Sequence, residues 1–154
     1  MAKVLIVDDE PDARTVLFHT LRGAGHTVTE AADGEEALKK LKRTRFDLVI
    51  LDIMMPRMSG YDVLEKIRAM PTRADTPVIV VTAKHDPEGV QREVGGGAAG
   101  HIAKPFLPSE LERVVKSVLK GPKRDVERSR KSLGRQADIY GTVSELHKQA
   151  RDAD

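Results

Sequence analysis

The sequence contains no cysteine, which excludes a disulfide framework, a thiolate metal site and a cysteine nucleophile, and makes a reducing cytoplasm the expected location. Long apolar runs are also missing: none approaches the ~18–20 residues needed to cross a bilayer. Met1-Ala2-Lys3-Val4 lacks the arrangement of a signal peptide, so neither secretion nor a membrane partner is expected. A dominant charge sign is absent too. The net charge is +2, with 18 basic against 18 acidic residues over 1–121 and 8 against 6 over 122–154. The local excess sits at Lys123–Arg135, six positive residues against two negative, and reads as a solvated helix face rather than a nucleic-acid site. What is present is a chain of 154 residues, 40% hydrophobic and 32% charged, a balance that supports one packed domain.

Five short apolar runs alternate with helical patterns: Val4–Val7, His26–Glu30, Leu48–Leu51, Val78–Thr82 and His101–Ala103. That alternation predicts an α/β fold in which crossover helices cover both faces of a parallel sheet. The first, third and fourth runs are almost wholly apolar, as central strands of such a sheet should be. Ala13, Leu17, Leu21 and Ala24 recur at helical spacing, as do Leu111, Val114, Val115, Val118 and Leu119. Asp33 with Glu36, and Ser59 with Asp62, read as helix starts. Glu88–Val94 offers only Val90 and Val94 as an apolar face before Gly95-Gly96-Gly97. Gly121-Pro122 ends the last helix of the α/β unit, which places the domain over 1–121 and a charged, helical extension over 122–154. In that extension Ile139, Val143, Leu146 and Ala150 form a narrow apolar stripe that cannot fold alone and must dock on something. A second copy of the chain is the favoured occupant.

Ligands of parallel α/β sheets bind outside the carboxyl ends of the strands. Strand one is followed there by Asp8-Asp9-Glu10, strand three by Asp52 and strand five by Lys104-Pro105, while strand four ends in Thr82. Carboxylates converging at one edge repel unless a hard divalent cation sits among them, and Mg²⁺ takes carboxylates together with waters and a phosphate oxygen. A hydroxyl and an ammonium at the same edge suit a bound or transferring phosphoryl group. The chemistry expected from the residues alone is phosphoryl transfer.

With Val4-Leu-Ile-Val-Asp-Asp-Glu10, Asp47-Leu-Val-Ile-Leu-Asp-Ile-Met-Met-Pro56, Met58-Ser-Gly60, Val81-Thr-Ala83 and Lys104-Pro-Phe106, the chain resembles a response-regulator receiver domain of two-component signalling, over about residues 3–120. The resemblance implies a flavodoxin-like, doubly wound five-stranded parallel sheet of order 2-1-3-4-5. It implies that Asp52 is the phosphoacceptor, fed by a histidine kinase, a phosphotransfer protein or a small phosphodonor. Asp9 and Asp52 would bind Mg²⁺, or Mn²⁺ in its place, directly with the Met54 backbone carbonyl, and Asp8 through water. Thr82 would donate to the phosphoryl oxygens, Lys104 would pair with one of them, and the Lys104–Pro105 peptide would be cis. Such a protein is a switch rather than an enzyme acting on others.

Departures from the family pattern stand at His101 and at Gly95–Gly97, where relatives more often carry helix formers ahead of a single Gly-Ala. His101 occupies the switch position three residues before Lys104, where Tyr or Phe is usual, so its rotation and protonation become relevant. Met54 and Lys84 occupy positions that tune loss of the phosphoryl group, and neither supplies a carboxylate or amide to orient water, so slow loss is expected. Haloacid-dehalogenase-like phosphatases use similar residues, but they need two aspartates two apart after strand one, which Asp8-Asp9-Glu10 does not provide. The alternative retained is the receiver part of a DNA-binding regulator, acting through the basic tail or an output domain outside this sequence. The downstream target is not legible.

Overall fold

A computed structural model of the chain describes residues 1–83 and 97–121. The expected helix over Glu88–Val94 and the helical extension over 122–154 lie outside the described residues. Met1–Lys120 forms one compact unit. Its elements run β1 (Lys3–Val7), α1 (Pro11–Gly23), β2 (Thr27–Ala31), α2 (Gly34–Arg43), β3 (Leu48–Asp52), α3 (Gly60–Ala69), β4 (Val78–Ala83), β5 (Gly100–Lys104) and α4 (Pro108–Lys120).

The strands form a single parallel sheet in the order β2-β1-β3-β4-β5, the doubly wound arrangement that the family resemblance implies. Side chains alternate across it with a period of two. Leu5, Val7, Val49, Leu51, Val78 and Val80 meet Ala37 and Leu41 of α2 and Val63, Leu64 and Ile67 of α3 on one face. On the other, Val4, Ile6, Leu48, Ile50, Ile79, Val81 and Ile102 meet Leu17 and Leu21 of α1 and Leu111 and Val115 of α4. Burial on both faces is why β1, β3 and β4 read as unbroken apolar runs.

Helix starts follow local chemistry. Asp33 accepts from the Glu36 amide at 2.8 Å, and acidic Glu35 and Glu36 precede basic Lys40, Lys42 and Arg43 along α2, matching the helix dipole. Ser59 and Asp62 exchange side-chain to backbone hydrogen bonds in a complete capping box at α3. At α1 the N-cap residue Glu10 makes no side-chain cap bond. Pro11, which has no amide hydrogen to satisfy, occupies the first turn instead, and the Glu10 carboxylate is left available for another contact.

Strand limits differ from the sequence reading in ways that matter at the edges. β2 begins at Thr27, because the ring Nδ1 of His26 accepts the Ala2 amide at 3.1 Å rather than His26 opening the strand. Asp52 and Lys104 are the last residues of their strands, not the first beyond them: Asp52 pairs with Val81 and Lys104 with Ala83. The ladder therefore fixes both backbones. No helix among the described residues is long and apolar enough to cross a membrane.

Candidate functional site

The strand order reverses between β1 and β3, and parallel sheets of this kind open a crevice at that reversal. Val7 pairs with Leu51, so Asp8 and Asp52 face each other one residue further along. Both are buried, as is Thr82 on the next strand. Lys104 reaches in from β5. Its Nζ stands 3.1 Å from Asp8 Oδ2, 3.3 Å from Glu10 Oε1 and 3.4 Å from Asp52 Oδ2. Asp52 Oδ1 accepts the Met54 amide at 3.1 Å, and Asp8 Oδ1 accepts the Glu10 amide at 2.9 Å. The two oxygens of Asp52 thus have separate partners, one from the backbone and one ionic.

Burial pushes the Asp52 carboxyl up to about 6, with the neighbouring Asp8 charge acting in the same direction and Lys104 and the Met54 amide opposing both. Burial works against the Lys104 ammonium, yet Asp8, Asp52 and Glu10 together outweigh it and hold the group above lysine's ordinary value. One buried carboxyl therefore titrates nearer to neutral pH than a free aspartate, at about 6, beside a cation that stays charged.

One carboxylate oxygen from each of Asp8, Glu10 and Asp52 lies within 4.8 Å of the other two. This set differs from the one the resemblance implies: Glu10 stands in it and Asp9 does not. The reason is geometric. Glu10 keeps extended backbone angles, φ −88° and ψ 116°, so it repeats the direction of Asp8 two residues earlier, and Lys104 holds it there. Asp9 presents a buried Oδ1 that accepts no hydrogen bond, and Asp8 Oδ2 is likewise buried outside hydrogen-bond geometry, in ion-pair contact with Lys104. A buried Asp9 oxygen without a donor, beside the Asp8 and Asp52 carboxylates at one edge, offers hard ligands that fit a magnesium-class cation.

His101 is buried on β5 opposite Val80, while Thr82 pairs with Ala103 two residues along. Alternation puts His101 and Thr82 on the same face of neighbouring strands. The Lys104–Pro105 peptide is cis. Met54 is 68% exposed at the rim of the crevice. Its neighbouring loop carries Arg57 in the left-handed region at φ 67° before turning into α3. Two contributions were not anticipated from the sequence, although Gly60 stands in the Met58-Ser-Gly60 motif. Gly60 packs directly on the Asp52 backbone, and Arg14 donates to the Asp8 carbonyl. The spacing of Asp8 and Glu10 was the available signal for Glu10; the other two require the fold.

The family profile described as the response regulator receiver domain matches residues 4–116. A probable transcriptional regulator ycf27 of Porphyridium aerugineum is 42% identical over 118 residues, 77% of this chain and 48% of that protein. The DNA-binding response regulator MtrA of Mycolicibacterium smegmatis is 37% identical over 118 residues, 77% of this chain and 50% of that protein. Among solved structures, the Vibrio cholerae chemotaxis protein CheY4 is 41% identical with a TM-score of 0.74, covering 77% of this chain and 98% of that one. The chain spans about half the length of the curated relatives it matches.

Proposed function

The chain belongs to the response regulator receiver family, and from that premise we propose that it accepts a phosphoryl group on Asp52 in a Mg²⁺-dependent reaction and uses the added charge to switch protein contacts. The observation that carries the assignment is the position of Asp52: a buried carboxylate at the end of β3, opposite Asp8 across the crevice, with Lys104 at its Oδ2. The donor is a phosphohistidine on a histidine kinase or phosphotransfer protein, which sets the site of action in the cytoplasm. A small acyl phosphate serves in vitro.

An Asp52 oxygen attacks phosphorus in line with the leaving group. The bond from phosphorus to the donor's imidazole nitrogen breaks, and the imidazole leaves with a proton from solvent. No protein base is required, because the nucleophile is already anionic above its titration range and the difficulty is charge and alignment. Mg²⁺ or Mn²⁺, when bound, neutralises the oxygens of the transferring group. Asp9, Asp52 and the Met54 carbonyl would hold it directly and Asp8 through water, and the donor-free Asp9 Oδ1 supports including Asp9. Glu10 keeps the Lys104 ammonium at the rim, from which Lys104 pairs with a phosphoryl oxygen while Thr82 donates to another. The product carries roughly one further negative charge or more at the buried edge, to which Thr82 and, on the same sheet face, His101 respond. The only chemistry is gain and loss of phosphoryl at the chain's own aspartate.

The direct test incubates the protein with acetyl phosphate and locates the adduct by mass spectrometry. Labelling is expected on Asp52 alone, lost in Asp52→Asn and lost with a chelator. Full labelling of Asp52→Asn would overturn the assignment.

Exposure of Met54 at the rim leads to a second expectation. Met54→Asn places an amide where it can orient attacking water, so loss of the phosphoryl group should accelerate, by roughly tenfold or more on the scale of positioned polar groups. The decay of radiolabelled protein measures it. An unchanged half-life would remove Met54 from control of the rate.

The length of the curated relatives favours a second reading of the output. MtrA is a DNA-binding response regulator of which the matched segment makes up half, and a DNA-binding module outside this sequence would make transcription the output. Association through residues 122–154, into a homodimer or with another protein, is the competing route. Light scattering of the full chain and of a truncation after Lys120, each with and without acetyl phosphate, separates them: equal masses throughout would reject self-association.

A further inference from the structure

The carbonyl of Asp8 lies one residue beyond the end of β1, in a residue that is fully buried. Its amide still belongs to the sheet edge, donating to Ala31 O at 3.2 Å, but its carbonyl has no strand partner. A buried carbonyl without a donor is costly. Arg14, one turn into α1, supplies the donor: its Nη1 is 2.7 Å from Asp8 O. The guanidinium is held from its other side by Glu30 at the end of β2, Nε to Oε1 3.5 Å. The Arg14 amide in turn donates to Glu10 O at 3.0 Å, so one residue braces the turn from Asp8 to Glu10 through both side chain and backbone.

We propose that Arg14 is a positioning residue for the cation site, fixing the Asp8–Asp9 peptide plane so that both carboxylates are preset to receive Mg²⁺. The peptide group is planar. Pinning its oxygen therefore sets where the Asp9 Cα lies, and the hold on Glu10 through its amide to Asp8 Oδ1 and its carbonyl to the Arg14 amide limits the rotation that aims the Asp9 side chain. The same contact satisfies the Asp8 main chain, leaving Asp8 Oδ2 for ionic contacts. Glu30 offsets the guanidinium charge, which would otherwise compete with a divalent ion a short distance away. Partners one step removed from a metal commonly change its affinity about 10–100-fold when lost. This inference rests on the reading of Asp8, Asp9 and Asp52 as a cation site.

The sign of the effect separates positioning from bulk electrostatics. Removing a positive charge near a cation site strengthens binding if charge alone matters, whereas removing the brace weakens it. Mg²⁺ affinity is measured by calorimetry on the full chain, together with the Mg²⁺-induced rise in melting temperature. Arg14→Met keeps the aliphatic stem and deletes the donor. Its Mg²⁺ affinity is expected to fall roughly tenfold, with Arg14→Lys, which retains a donor and the charge, restoring part of it. Arg14→Gln, too short to reach Asp8 O, should behave like Arg14→Met and carries the test if the methionine variant does not fold. Unchanged or tighter Mg²⁺ binding in Arg14→Met or Arg14→Gln would overturn the proposal. Absence of Mg²⁺ binding in the parent protein would instead mean that the cation site itself had been misread, a separate failure.

Discussion

In chelator at pH 7.5, Asp52→Asn is expected to be more stable than the parent protein by about 1–2 kcal/mol, although it removes a group that contacts Lys104. The Asp52 carboxyl is pushed up to about 6 in the folded chain from an ordinary 3.8. Between those two values the folded state holds a proton that the unfolded state has released, so stability falls as pH rises through the window and the full penalty is present above it. Two units correspond to about 3 kcal/mol at most. Lys104 keeps Asp8 and Glu10 as partners, which is why most of the gain survives the lost ion pair. Urea denaturation at pH 4 and pH 7.5 checks the sign: the advantage of Asp52→Asn should shrink at the lower pH. Adding Mg²⁺ should narrow or reverse it, since the asparagine variant has one carboxylate fewer to hold the ion. A gain independent of pH, or none at pH 7.5, would show that Asp52 is not the group under strain.

The other large effect concerns Gly60, where α3 begins. A Cβ added there would lie 2.4 Å from the Asp52 backbone oxygen, 2.7 Å from Ile53 Cα and 2.9 Å from the Asp52 carbonyl carbon. Those atoms cannot move aside, because Ile53 N donates to Val81 O at 3.0 Å and Gly60 N donates to Ile53 O at 3.0 Å. Even a methyl group must push apart the end of β3 and the start of α3. Gly60→Ala is expected to destabilise the fold by about 3 kcal/mol, the upper part of the range for forced overpacking, and to slow labelling by acetyl phosphate because Asp52 is carried on the displaced segment. Gly23 in α1 provides the control: a Cβ there meets nothing within 4 Å. Gly23→Ala should therefore stabilise by about 0.5–1 kcal/mol through reduced freedom of the unfolded chain. Equal effects of the two alanines would show that the close approach at Gly60 is not real in solution.

Both experiments bear on the same design. The site is a charged cluster assembled on strand ends whose backbones are fixed by the ladder, with helices packed close against them. Titration of Asp52 reports what burial does to the cluster, and the Gly60 substitution reports how tightly the supporting backbone holds it.

The periodicity of apolar residues was enough to read an α/β chain with five parallel strands, because alternation in strands and helical spacing are local properties that burial on two faces imposes directly on sequence. Asp8, Asp52, Thr82 and Lys104 were legible for the same reason: each sits where an apolar run ends, and the ends of parallel strands share one edge. The two helix starts at Asp33 and Ser59 were legible because a cap is made by residues three apart. What the sequence left open depends on distances between segments. That Glu10 stands beside Asp8 and Asp52 in contact with Lys104, while Asp9 keeps a buried oxygen without a donor, depends on the reach of Lys104 across from β5. The inclusion of Asp52 and Lys104 within their strands follows from pairing with Val81 and Ala83, which no local pattern encodes. The elevated titration of Asp52 needs both its burial and the Asp8 charge beside it, and the requirement for glycine at position 60 needs a helix brought against the end of β3. Local chemistry chose the residues that can do phosphoryl chemistry; the register of the sheet and the packing of helices on its edge decided which of them meet.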